Sequence, residues 1–297
     1  MEGERSHSEE EIIEQEKTPE KGANVLVQVK FIRHGERTKE GELTDYGREI
    51  TRSNARKSGL KEQGFDAVKA YGSQAGPKNK KGMGRAMETA DIYTEEVKVE
   101  DQEYVTRAKD ILNFETLKTP FPYDHTGIYN ANLPENFNNL SDKEKIEAAR
   151  RAQSATVNHL LSLKTPEAET FKKEVAGVFA KIINHRVKLS QKINSGSKAL
   201  LVEGTHGPMP ELLLEEALIR KTSEGEEIRG FQDINEIGGP LYPSESIDVL
   251  VGRNEKGELR PLKVELDPVK QIVGEMYLDQ SKLDELEAFY NKIHEVK

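Results

Sequence analysis

Two histidines in this 297-residue chain stand beside glycine where an apolar run gives out. Ile32-Arg33-His34-Gly35 completes the run that begins at Val25, and Gly204-Thr205-His206-Gly207 follows Ala199-Leu200-Leu201-Val202. An imidazole at neutral pH can serve as nucleophile, as proton donor, or as a charged hydrogen-bond donor to phosphate. The adjacent glycines let a ligand approach the backbone closely. Read singly, each histidine is a surface or structurally satisfied residue. Arg33 reverses that balance, because a guanidinium at the end of a buried strand is costly unless it meets an anion. The combination points to one shared anion pocket.

The elements that must position these residues are legible around them. Val25 to Ile32 and Ala199 to Val202 read as buried strands, and Ala67 to Tyr71, Ser246 to Val251 and Leu262 to Leu266 as further ones. Helices are expected over Thr44 to Gln63, with Thr44 as N-cap and Gly64 as stop, and over Arg85 to Val97. Others are expected over Ser141 to Leu163, Pro166 to Asn194 and Pro210 to Ile219, with a closing helical region opening at Asp267-Pro268. Thr165 caps the helix at Pro166, whose stripe Phe171, Val175, Val178, Phe179 and Ile182 follows the helical period and is expected to be buried. Strands alternating with helices imply a three-layer α/β/α sandwich around a mostly parallel sheet. In such sheets ligands gather beyond the carboxyl ends of the strands, where both histidines lie.

Four segments in order resemble the signature of the histidine phosphatase, or phosphoglycerate mutase-like, superfamily. They are Arg33-His34-Gly35-Glu36, Leu43-Thr44-Asp45-Tyr46-Gly47, Arg85-Ala86-Met87-Glu88-Thr89-Ala90 and Thr205-His206-Gly207. Only Arg-His-Gly is fairly specific alone; the ordered set, spanning Val25 to Gly207, is strong. By this resemblance His34 takes the phosphoryl group, while Arg33, Arg85 and His206 line the phosphate pocket. Those roles suit the chemistry, since bidentate guanidiniums match the charge on the equatorial oxygens of a transferring phosphoryl group. No metal or other cofactor is expected.

The chain also departs from the pattern. Acid phosphatases of the superfamily place Asp after the second histidine, where Gly207 stands here. That resemblance turns toward the mutase-like group, whose general acid is a Glu downstream of the second arginine, and Glu115 in Asn113-Phe114-Glu115 is the matching choice. Glu211 is the alternative, although a Glu in a helix's first turn has an ordinary dipole explanation. Arg37 completes Arg-His-Gly-x-Arg, seen more in the acid phosphatase group, and is taken as a third phosphate ligand. The loop from Gly72 to Gly84 is longer and more basic than the family's Ser-Pro turn, with Ser73 as its remnant and Lys78, Lys80 and Lys81 as solvated charges. Met83 occupies the place where a P-loop needs Lys. His125, in the aromatic stretch, reads as structural or superficial, and His159 and His185 as ordinary helix residues.

Composition bounds the partners. A formal net charge of -9 argues against a nucleic-acid surface. Without cysteine there is no disulfide framework, thiolate metal site or Cys nucleophile. The N-terminus carries no signal-peptide pattern and no apolar run reaches membrane-spanning length, so a cytoplasmic protein that meets neither membrane nor nucleic acid is expected. At 35% hydrophobic and 33% charged residues the chain is apolar-poor. Residues 1–22, with Glu9-Glu10-Glu11, read as an acidic, disordered tail. Residues 23–297 read as one domain, with a cap insertion at about 114–165 that begins in a Pro-, Asn- and aromatic-rich loop. A phosphomonoesterase acting on a small phosphorylated metabolite is the leading expectation. A mutase-like phosphotransferase and a non-catalytic phosphate-binding module are the rivals.

Overall fold

The computed structural model describes residues 20–222, 224–267, 270 and 274–295. Of the acidic segment expected over 1–22, all but Glu20, Lys21 and Gly22 lies outside these residues.

Strand β1 (Leu26–Arg33) runs parallel to β4 (Lys198–Thr205), which pairs in parallel with β2 (Ala67–Gly72), and β2 with the short β3 (Thr106–Ala108). On the other side of β1 the sheet turns antiparallel through β7 (Ser246–Gly252), β8 (Leu262–Leu266), β9 (Glu275–Leu278), β5 (Leu218–Lys221) and β6 (Glu227–Arg229). The sheet is thus parallel in its core, with an antiparallel extension that local pattern did not announce.

Both faces are covered, which explains why β1 is buried almost throughout. Val27, Val29 and Phe31 point toward α5 (Pro166–Ser190), with Phe31 edge-on to Phe179 at 5.0 Å between ring centroids. Helices α6 (Met209–Ala217) and α7 (Gln280–Ile293) complete that layer. Ile32 points the other way, into a second core beneath α1 (Asp45–Lys57) and α2 (Arg85–Val97). Lys30, on the same face, stays buried because Asp248 Oδ2 at 2.6 Å and Ser246 Oγ at 2.9 Å accept from its ammonium. The architecture is a three-layer α/β/α sandwich. No described helix is long and apolar enough to cross a membrane.

Local caps set several boundaries where the sequence places them. Thr44 Oγ1 accepts from Gly47 N, and Thr165 Oγ1 accepts from Ala168 N with Pro166 in the first turn. All five residues of the α5 stripe are buried. Three expectations are corrected. The helix from Thr44 stops at Lys57, since Gly59 turns left-handed at φ 66°, and a short 3-10 turn at Lys61–Gln63 follows before Gly64. The helix after His206 stops at Ala217, where Leu218 and Ile219 pair with Leu278 and Tyr277 as strand β5. The closing region, with Pro268 outside the described residues, contains strand β9 before α7.

The stretch read as loop also holds a helix. Asp124 caps α3 (His125–Ala131), and α4 (Asp142–Ser162) follows with Ser141 and Glu144 forming a capping box.

Candidate active site

The register of β1 against β4 brings the two histidines together. Ile32 faces Gly204 and Arg33 faces Thr205, so both chains leave the sheet side by side, and the His34 N–H donates to the Thr205 carbonyl at 3.0 Å. The two rings lie 5.2 Å apart, inclined at 63°. Both are nearly enclosed, at 8% and 5% exposure.

Their protonation follows from that enclosure. Burial, then the neighbouring His206 and Arg33, hold His34 well below the ordinary imidazole range. Burial together with Arg85, Arg33 and Arg37 pushes His206 down to about 3. Both rings are therefore neutral at physiological pH. Nδ1 of His34 lies 2.8 Å from the Gly35 carbonyl, a contact that requires Nδ1–H to donate. The lone pair is then on Nε2. His206 has no hydrogen-bond partner at either ring nitrogen among the described atoms.

Two guanidiniums flank the rings. Arg33 is the last residue of β1, and its Nη1 donates to the Leu241 carbonyl while its buried Nε has no partner. Arg85 is the first residue of α2, and glycines explain how that helix start reaches the strand ends. A Cβ on Gly204 would lie 2.0 Å from the Ala86 carbonyl oxygen, and one on Gly72 would lie 2.3 Å from Met87 Cα. Only bare backbone at both positions lets α2 settle there. Arg85 runs past Gly76, where an added Cβ would lie 2.6 Å from Nη1, and its Nε is also buried and unpaired. Each guanidinium thus brings a buried, unpaired Nε close enough to act on both imidazoles.

The loop bearing His34 is held by the second motif. Thr44 N donates to the Glu36 carbonyl at 3.0 Å and Thr44 Oγ1 to Glu36 Oε2 at 3.0 Å. Gly47 allows the contact, since a Cβ there would sit 2.6 Å from the Glu36 carbonyl oxygen. From the other side Thr89 Oγ1 accepts from the Gly35 N–H at 3.1 Å while donating to the Arg85 carbonyl at 2.9 Å. Thr89 thus links the two motifs directly.

The remaining candidates separate by position. Arg37 is exposed at the rim, yet its charge acts on Arg33, Arg85, His125 and His206. Glu115 is exposed in the 3-10 turn Phe114–Thr116, where its charge opposes the loss of Arg85's proton. Phe114 beside it meets His206 edge-on at 5.3 Å. Glu211 is 1% exposed, buried against Leu241, whose N–H it accepts at 2.9 Å. Ser73 is fully buried and turns its hydroxyl to Ala75 N. Lys78 bonds Gln74, and Lys78, Lys80 and Lys81 all stay on the surface.

Sequence reasoning passed over His125, which is half-buried and whose basicity is lowered by burial, Arg33 and Arg37. It also missed residues 238–245, which wrap Arg33: Ser244 N donates to the Arg33 carbonyl and the Glu245 carbonyl accepts from Arg33 N. Gly238-Gly239-Pro240 is turn chemistry that marks this segment as a loop, but its grip on Arg33 is a backbone matter. Among the described residues, no group of three or more His, Asp or Glu side chains is placed to hold a metal ion.

No family model matches the chain, and no curated protein matches it. Among solved structures it is similar to the protein histidine phosphatase SixA complexed with tungstate, at 14% identity over 81% of this chain and 97% of that one, with a TM-score of 0.32. A mycobacterial glucosyl-3-phosphoglycerate phosphatase aligns at 14% identity over 83% and 99% of the two chains, TM-score 0.37. A mycobacterial hydrolase aligns at 11% identity over 89% and 98%, TM-score 0.37. At these TM-scores the likeness carries no argument about activity, which rests on the residues of the site.

Proposed function

We propose that this chain is a phosphomonoesterase of the histidine phosphatase superfamily, acting in the cytoplasm on a small phosphorylated metabolite through a phosphohistidine at His34. The observation that carries the reading is the meeting of four side chains from distant parts of the sequence. His34 and His206 lie 5.2 Å apart, and Arg33 and Arg85 each bring a buried, unpaired Nε. Among the described residues no carboxylate forms an ion pair with either guanidinium, although the charges of Glu211, Glu245 and Glu115 are felt there, and cations left without a direct partner suit an anion.

In the proposed reaction Nε2 of neutral His34 attacks phosphorus as the bond to the leaving oxygen breaks. Arg33, Arg85 and Arg37 bind the non-bridging oxygens, and His206 hydrogen-bonds to them. Glu115 hands its proton to the leaving oxygen. The carboxylate then takes a proton from water as the water oxygen attacks phosphorus, the N–P bond breaks, and inorganic phosphate leaves with His34 restored. Splitting one displacement into two lets a positioned imidazole replace water as first nucleophile. Burial keeps that imidazole unprotonated, and the fixed guanidiniums meet the charge without reorganisation.

The test is to quench the enzyme during turnover of a 32P-labelled phosphomonoester. Wild type should carry an acid-labile, base-stable label that His34→Ala lacks, together with release of inorganic phosphate. Turnover without label, or label retained in His34→Ala, refutes the phosphohistidine. Label with isomerisation of a phosphoglycerate and no phosphate release assigns the transfer to a mutase. Phosphate binding with neither label nor turnover makes the site a binding module.

A further inference from the structure

Glu211 is a buried carboxylate next to the pocket that the proposed reaction does not use. It extends from the first turn of α6 and is 1% exposed. Oε1 accepts from the Leu241 N–H at 2.9 Å, and Oε2 is buried without a hydrogen-bond partner. The carbonyl of the same Leu241 accepts from Arg33 Nη1. One residue therefore stands between the carboxyl and the guanidinium, its N–H giving to Glu211 and its carbonyl, in the next peptide group, receiving from Arg33.

The segment bearing Leu241 is fixed from its other end too. The Lys270 ammonium donates to the carbonyls of Gly239 at 2.6 Å and Pro240 at 2.8 Å, and lies 3.6 Å from Glu245 Oε2. Glu245 Oε2 in turn accepts from Tyr242 N at 3.0 Å. Between these anchors residues 239–245 have little freedom, and Arg33 lies in their grasp. Across the guanidinium, a Cβ on Gly207 would come within 3.1 Å of Nε.

We propose that Glu211 is a positioning residue for the phosphate site, acting through Leu241 to hold Arg33 in the orientation that meets the anion. This rests on the proposed phosphate chemistry and assigns Glu211 no proton transfer. Burial raises the Glu211 carboxyl above its usual range, with Arg33 and Lys270 opposing. Its hydrogen bond to Leu241 needs only an acceptor oxygen, which an amide also supplies.

The test compares Glu211→Gln, Glu211→Ala and Lys270→Met with wild type. It measures the Kd of inorganic phosphate by calorimetry, and kcat and KM on p-nitrophenyl phosphate and on an alkyl phosphate whose leaving group needs a proton. Glu211→Gln should keep phosphate Kd within about threefold and treat both substrates as wild type does, because the acceptor survives. Glu211→Ala should weaken phosphate binding about tenfold, the effect of one lost anchoring hydrogen bond to a charged partner, and lower kcat/KM equally on both substrates. Lys270→Met, which frees the segment from its far end, should move phosphate Kd in the same direction and serves if the alanine variant does not fold. A Glu211→Gln enzyme that fails on the alkyl phosphate alone, with phosphate Kd unchanged, makes Glu211 the general acid and overturns the proposal. So do alanine and Lys270→Met variants that bind phosphate like wild type. If wild type itself binds no phosphate, the underlying functional reading fails instead.

Discussion

The histidine pair makes a stability prediction that needs no substrate. His206 is folded into a site that pushes its pKa to about 3, against an ordinary value near 6.5. The sign follows from proton counting. As pH falls below about 6.5 the unfolded chain takes up a proton that the folded chain refuses, so acidification favours unfolding. The loss is absent above the unfolded value, grows through the window down to about 3, and then stops. For one such group, moving from about pH 7 to about pH 5 removes roughly 2 kcal/mol of stability. His206 is only 5% exposed, so solvent screening takes little from that figure.

Replacing His206 with Asn isolates the effect, because Asn carries no titrating proton in either state. Urea unfolding of wild type and His206→Asn, run without phosphate at steps from pH 7 to pH 5, gives the two curves. Wild type should lose about 2 kcal/mol more than the variant across that range, whatever their offset at neutral pH. His34 is held low first by its own burial and only then by His206, so most of its slope is common to both proteins and the difference reports chiefly His206. Parallel curves would refute the reasoning: His206 would then be protonated as readily folded as unfolded, and the picture of two enclosed neutral rings would be wrong.

Three further outcomes follow from the site's geometry. Arg85→Lys keeps the charge but loses the planar fork, and should lower kcat/KM on p-nitrophenyl phosphate by about 10²- to 10³-fold, whereas Arg37→Ala, at the exposed rim, should cost about tenfold. An Arg85→Lys enzyme with near-normal kcat/KM would place the anion elsewhere. Gly47→Ala puts a Cβ 2.6 Å from the Glu36 carbonyl oxygen and should destabilise the fold by about 1–3 kcal/mol in urea titrations, with lowered phosphate affinity because the His34 loop shifts.

How much of this was legible depends on whether the cause of each feature is local. Thr44 and Thr165 cap helices through bonds to residues three ahead, and the α5 stripe is a matter of period, so the sequence displays them. Arg33, His34, Arg85 and His206 each sit at the end of such an element, and their types and order can be read directly. Strands β5, β6 and β9 are another matter. Leu218 becomes strand because Leu278, sixty residues on, lies beside it, and Glu227–Arg229 has no apolar alternation to reveal a pairing with Ile219 to Lys221. The grip of residues 238–245 on Arg33 runs through carbonyls and N–H groups that every residue owns, so no side-chain pattern encodes it. Asp124 and Gly127 do signal the start of α3 within the aromatic stretch, a cap that Pro120 and Pro122 nearby disguise as loop.

Gly207 ties these observations together. In sequence it is a departure, standing where acid phosphatases place a proton-donating Asp. In the fold it is where Arg33 passes, with Nε, Cδ and Cζ all between 3.1 and 3.2 Å from the point a Cβ would occupy. A side chain there would press on a guanidinium already fixed by Leu241. Under the proposed chemistry the proton must then come from across the pocket, where Phe114 meets His206 and Glu115 acts on Arg85. A donor on such a turn needs an anchor, and Lys109 supplies one. It directly precedes the turns that lead to Glu115, and its ammonium bonds both oxygens of Glu203 at 2.8 and 3.0 Å. Glu203 is fully buried on β4, three residues before His206. The strand that delivers the second imidazole therefore also secures the segment that faces it, and an acid borne on a surface turn can be held in register with a pocket built on the sheet.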